Sequence, residues 1–87
     1  ARMAVVVSLV FHRGSSHVLD ALAALKAAHD QIVVGDAFHH LHRNYSLNVV
    51  VLHGAAKDVR SVAERLLGAR GVVHGDLTPM NPGPPCQ

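Results

Sequence analysis

The chain has 87 residues, 49 % of them apolar, a formal charge of +2 and no tryptophan. That is one small domain whose single core leaves little stability to spare, a size at which oligomerisation is a common way to bury more surface. Only Phe11, Phe38 and Tyr45 are aromatic and the eight Lys and Arg residues never form a run, so a base-stacking surface and a DNA-reading basic stripe are both lacking. Cys86 is the single cysteine; there is no disulfide framework and no paired-cysteine zinc motif, and a reducing, cytoplasmic setting is the expectation. The apolar run from Ala4 to Phe11 is too short to span a bilayer, so no membrane partner is expected.

Met3 to His12 is a continuous β-branched run and reads as a central strand. Arg13-Gly14-Ser15-Ser16 breaks it, and either serine can cap a helix running to about His29 whose Val18, Leu19, Leu22 and Leu25 follow helical spacing. Gln31 to His42 returns to strand character, with Gly35 and Asp36 as a weak point or bulge. Arg43 to Ser46 is turn-like, and Leu47 to Leu52 is the strongest strand, closing a hairpin. A second helix from about Ala56 to Leu67 places Val59, Val62, Ala63 and Leu66 at i, i+3, i+4 and i+7, and Gly68 stops it. Gly71 to Thr78 gives a fourth, weaker strand. Strand, helix, strand, strand, helix, strand is the α+β ferredoxin-like order, βαββαβ and ACT-like, which forms a four-stranded antiparallel sheet with both helices on one face. The other sheet face is then open to a second subunit or a ligand.

The stretch richest in chemistry is Phe38 to Asn48, where His39, His40 and His42 fall within four residues. A strand puts residues two apart on one face, so an extended Phe38 to His42 aims His40 and His42 the same way, close enough to share an ion. Two imidazoles are half a site, because a firmly held first-row metal needs three or four ligands. His39 faces the opposite side of a regular strand. His12, beside Arg13 and Gly14, reads as a surface residue, His17 in a first helical turn and His53 at a strand exit read as structural, and a turn-stabilising bond explains His74 as well as a ligand role does. The serines lack a nucleophile-elbow pattern and the acids lack a catalytic partner, so an enzyme is not expected.

From about Val5 to Thr78 the chain resembles the C-terminal regulatory domain of the nickel-responsive transcription regulator family. Leu47-Asn48-Val49-Val50-Val51-Leu52-His53-Gly54 resembles that family's strand into its second helix, and Leu67 to Thr78 resembles its Arg-Gly-Val-x-His-Gly-x-Leu-Thr ending through Arg70-Gly71-Val72-Val73-His74-Gly75-Asp76-Leu77-Thr78. The resemblance implies a tetramer core with nickel in a square-planar interfacial site of three histidines and a cysteine. Carried over residue by residue, the His-x-His pair falls on Phe38 and His40, the cysteine on Ser46 and the partner helix ligand on Ala27, so His40 alone keeps its ligand type. No stretch corresponds to the family's N-terminal ribbon-helix-helix DNA reader, so DNA would be reached only through a separate or missing region.

The sequence therefore reads as a ferredoxin-like regulatory domain over residues 1–79 with a flexible proline-rich tail at 80–87. It is expected to form a homo-oligomer, a tetramer by resemblance, and to bind a transition metal through His40, His42 and His29 of a neighbouring subunit, with His39 or Asp36 as further candidates. Imidazole and oxygen donors without a thiolate suit nickel, zinc, cobalt or copper. The alternative is a metal-free oligomerisation module, or a small-molecule sensor like the amino-acid-binding domains of this topology.

Overall fold

A computed structural model describes residues 1–80; residues 81–87, which hold Cys86 and nearly all of the expected tail, lie outside the described residues. The elements are β1 (Arg2–His12), α1 (Ser16–Ala28), β2 (Val33–His40), β3 (Tyr45–Ala55), α2 (Ala56–Leu67) and β4 (Val72–Pro79). The strands form one antiparallel sheet in the order β2-β3-β1-β4, the ferredoxin-like arrangement that the element order predicts. β1 and β3 occupy the centre because they carry the two longest apolar alternations, and β2 and β4 are left as edges.

The strand period of two sorts the central residues onto two faces. Val5, Val7, Leu9 and Phe11 of β1 and Val50 and Leu52 of β3 are buried with Val18 and Leu22 of α1 and Val59, Val62, Ala63 and Leu66 of α2, so both helices cover the same face. The opposite face shows Val6, Val10, Leu47, Val49 and Val51, each half-buried although no helix or strand among the described residues covers them.

α2 matches its sequence pattern to the residue, and the Gly68 amide closes it on the Glu64 carbonyl at 2.9 Å. α1 differs from its pattern. Leu19, expected inward, is 38 % exposed, whereas Lys26 is buried in line with Val18 and Leu22. The buried face of α1 is thus rotated toward a polar partner described below. Ser15 is the N-cap residue, but its side chain makes no capping bond.

Two further boundaries depart from the sequence pattern. β4 continues through Pro79, and just beyond it the Met80 amide donates to Ala4 O at 2.7 Å, tying the strand's end to β1. β2 begins later and ends earlier than the predicted Gln31 to His42, as its register with β3 explains. A shift between Val33 and Gly35 places the bulge near the predicted weak point, and extended pairing stops at His40 opposite Ser46.

Candidate metal centre

The tip of the β2–β3 hairpin sets the geometry of the histidine cluster. The Tyr45 amide donates to His42 O, and the Leu41 amide donates to Tyr45 O at 2.8 Å, so Leu41 and His42 together face one residue of β3. Two residues opposite one is a bulge, which breaks strict alternation. Arg43 and Asn44 then reverse the chain with φ of 63° and 64°, the left-handed region that tight hairpin turns require. The extended run needed to aim His40 and His42 alike is therefore interrupted: His40 ends the strand and His42 opens a short 3-10 turn over His42–Asn44. Arg13 braces this tip, its amide donating to Asn44 O at 2.6 Å and its guanidinium to Leu41 O at 3.2 Å. The His12 ring stacks on Tyr45 with centroids 4.7 Å apart.

The faces follow from the register. His40 lies opposite buried Ser46 and Phe38 opposite buried Asn48, so His40, Phe38 and Asp36 belong to the helix-covered side. His39 lies opposite Leu47, on the open side, as alternation predicts. His39, His40 and His42 are all exposed. Asp36 is engaged within its own chain: the Lys26 ammonium donates to its two oxygens at 3.1 and 3.0 Å, and the Asn48 amide donates to Oδ1 at 2.7 Å. The same ammonium donates to Asn48 Oδ1 at 3.0 Å and stands 4.6 Å from the Phe38 ring centroid, while Asn48 Nδ2 also reaches Ala37 O at 3.0 Å. A cation is thus already built into the side chains around Phe38.

His29 stands at the other end of the molecule. It caps the C-terminus of α1, and its carbonyl accepts from the amides of Ile32 at 2.9 Å and Val33 at 3.1 Å, which fixes it beside the start of β2. Val33 and His40 terminate β2, and seven strand steps separate them by about 23 Å. His29 and His40 of one chain therefore cannot share an ion. Consistent with this, no three His, Cys, Asp or Glu side chains among the described residues converge on a metal-sized space.

The sequence reading missed Lys26 and Asn48. Asn48 carried a signal, being a polar residue on the inward parity of an otherwise apolar strand, where a buried amide requires partners. The donors that do remain available, exposed imidazoles, are chemically suited to a first-row ion, whereas the immediate surroundings of Phe38 and Lys26 are not, because a dication there would face a fixed ammonium.

Comparison with known proteins gives this geometry a context. The family model described as the NikR C-terminal nickel-binding domain matches residues 4–80, all but the first three of the described residues. A protein of Anaeromyxobacter dehalogenans, provisionally named a nickel-responsive regulator, is 36 % identical over 78 residues, 90 % of this chain and 56 % of that protein. Proteins of the same provisional name from Geobacter sp. and Methanothrix thermoacetophila are 35 % identical over 71 residues and 32 % over 78, covering 82 % and 90 % of this chain and 51 % and 56 % of theirs. The chain thus spans about half the length of these relatives, which are named as regulators and not as enzymes. An uncharacterized protein of Thermotoga maritima superposes with a TM-score of 0.77 over 93 % of this chain and 100 % of its own, at 11 % identity, and so shares the fold. Among the described residues no helix is long and apolar enough to cross a membrane.

Proposed function

The chain belongs to the NikR C-terminal nickel-binding domain family, and from that premise we propose that it is the metal-sensing and assembly half of a nickel-responsive regulator. Nickel is its first metal, with zinc, cobalt and copper as chemical competitors for the same imidazoles. DNA is reached through a separate region, and the protein acts in the cytoplasm as a homotetramer. Metal regulates by favouring one arrangement of subunits, which requires unequal affinity for the two arrangements.

One observation carries this reading: histidines stand at the two ends of an edge strand, exposed His40 closing it and half-buried His29 beside its start. Among the described residues β2 has no strand on its outer edge, and it shows Val34 and Phe38 at 60 % and 48 % exposure, the kind of apolar edge that pairs with another strand. A two-fold axis pairing two β2 edges antiparallel, centred between Asp36 and Ala37, sets His40 of one copy opposite Val33 of the other. Val33 is bonded to the His29 carbonyl, so His29 of the second copy comes to His40 of the first. His42, on the adjacent turn, offers a further imidazole on the first copy, and His39 lies on the other face. Asp36 is less suited to ligation because Lys26 already neutralises it.

The second reading, an assembly module or small-molecule sensor without metal, draws its support from that same ion pair, in which the Lys26 ammonium already holds the Asp36 carboxylate and the Asn48 amide. Nickel titration of the untagged protein during sizing chromatography, beside a His40→Ala/His42→Ala variant, separates the two. Stoichiometric nickel binding lost in the variant supports the sensor. Binding no better than the variant's, with the oligomer intact, leaves the module.

A further inference from the structure

A charged side chain on an edge strand guards it, because a row of unpaired backbone groups otherwise accepts another strand. β2 has one carboxylate among its eight residues, Asp36, and it stands near the middle of the strand. That charge is cancelled from behind. The Lys26 ammonium reaches it from α1 and donates to both Asp36 oxygens at 3.1 and 3.0 Å. The Asn48 amide donates to Asp36 Oδ1 at 2.7 Å and to Ala37 O at 3.0 Å, and these two bonds aim its own oxygen at the ammonium, 3.0 Å away. The receptor is thus assembled from β2 and β3 alone, and α1 supplies the cation. Along the edge itself Val34, Ala37 and Phe38 are exposed, so what β2 presents before His39 is apolar apart from this neutralised carboxylate.

We propose that Lys26 is the residue that makes β2 a pairing edge: by neutralising Asp36 it lets the β2 strands of two copies of this chain come together. This rests on the edge pairing put forward above and names the group that permits it. A two-fold axis at the middle of β2 brings the Asp36 carboxylates of both copies close to itself. Unmatched, they would repel each other and lose water together, and both effects oppose association. Matched by ammonium groups held inside each chain, they add no net charge to the edge. Lys26 is already fixed by its own Asp36 and Asn48 before two copies meet, so pairing does not have to immobilise that long side chain.

The test uses the untagged full chain with a fixed excess of nickel. Association is followed by sedimentation equilibrium, and the edge by hydrogen exchange across Val33–His40 as concentration rises. Lys26→Met is expected to raise the dissociation constant roughly tenfold or more. That deficit should shrink in high salt, which screens the two carboxylates. Asp36→Asn leaves the ammonium unmatched and should weaken pairing in the same sense. Lys26→Met/Asp36→Asn removes both charges and should return the constant to within about threefold of wild type, although the double variant has lost the ion pair altogether. A merely structural network would leave the double variant at least as weak as either single one, and that result overturns the role of Lys26. Wild-type association in Lys26→Met, with β2 still gaining protection as copies meet, also overturns it and leaves the edge pairing standing. Wild-type β2 amides that exchange at one rate at every concentration overturn the edge pairing and the role of Lys26 together.

Discussion

The Lys26 ammonium lies over the face of Phe38, 4.6 Å from its centroid, while donating to Asp36 and Asn48. In position and charge it acts as an internal cation that fastens α1 to the edge strand β2. The side chain of Lys26 is 10 % exposed and that of Asp36 36 %, so the lysine has lost most of its water and the carboxylate only part. Lys26→Met should lower unfolding free energy by about 1–3 kcal/mol, less than a fully buried pair because water still screens Asp36. Adding Asp36→Leu should return part of that loss, since removing both partners leaves only the Asn48 amide in need of bonds. Urea denaturation of the three proteins checks this, and a Lys26→Met midpoint equal to wild type would mean that the network is ornamental.

The hairpin tip stores backbone strain at Arg43, whose φ of 63° and ψ of 34° put a side-chain-bearing residue in the left-handed region. That conformation costs an L-residue roughly 1–2 kcal/mol and glycine almost nothing. Glycine also brings more unfolded-state entropy, which offsets part of the relief. Arg43→Gly should therefore raise stability by about 0.5–1 kcal/mol, and Arg43→Val should lower it by a similar amount or more. Chemical denaturation of the pair gives the sign directly; a stabilising valine would contradict the turn geometry.

Three glycines form a graded series. Gly71 has φ of +98°, and a Cβ there would run into Val18 Cγ2, a buried core atom of α1. Gly75 has an ordinary φ, and its Cβ would meet Leu67 Cδ2 at 2.7 Å, the movable end of a flexible side chain. Gly14 has φ of +87° with nothing within 4 Å. Gly71→Ala should cost most, about 2–4 kcal/mol from strain plus overlap. Gly14→Ala should cost about 1 kcal/mol from strain alone and Gly75→Ala no more than that. Thermal melts of the three variants are expected in that order, and a Gly71→Ala protein as stable as Gly75→Ala would break it.

These particulars show how much of the molecule is legible in its sequence. α2 and the central strands are, because a single apolar period governs each, and the resemblance of Arg70 to Thr78 extends to the family. The hairpin tip is not, because Arg43 and Asn44 give little warning of two successive left-handed residues, and that turn decides where His42 points. α1 is legible as a helix but not in its facing: Lys26 reads as a solvent residue until Asp36 and Asn48, 10 and 22 positions away, are folded against it.

The proposed tetramer, if dihedral, needs two different self-complementary surfaces, and the domain has two candidates. The β2 edge is one, and the helix-free sheet face around Val6, Val10, Val49 and Val51 is the other, half-buried and apolar with no helix or strand among the described residues over it. If the edges pair two copies around the metal, the sheet faces join the two dimers. Val6→Lys puts a charge at the middle of that face without entering the core, since Val6 points away from both helices. Light scattering should then find dimers in place of tetramers, with nickel stoichiometry per chain unchanged. A monomeric Val6→Lys protein that has lost its nickel would exchange the roles of the two surfaces, and a variant that stays tetrameric would remove the sheet face from the assembly.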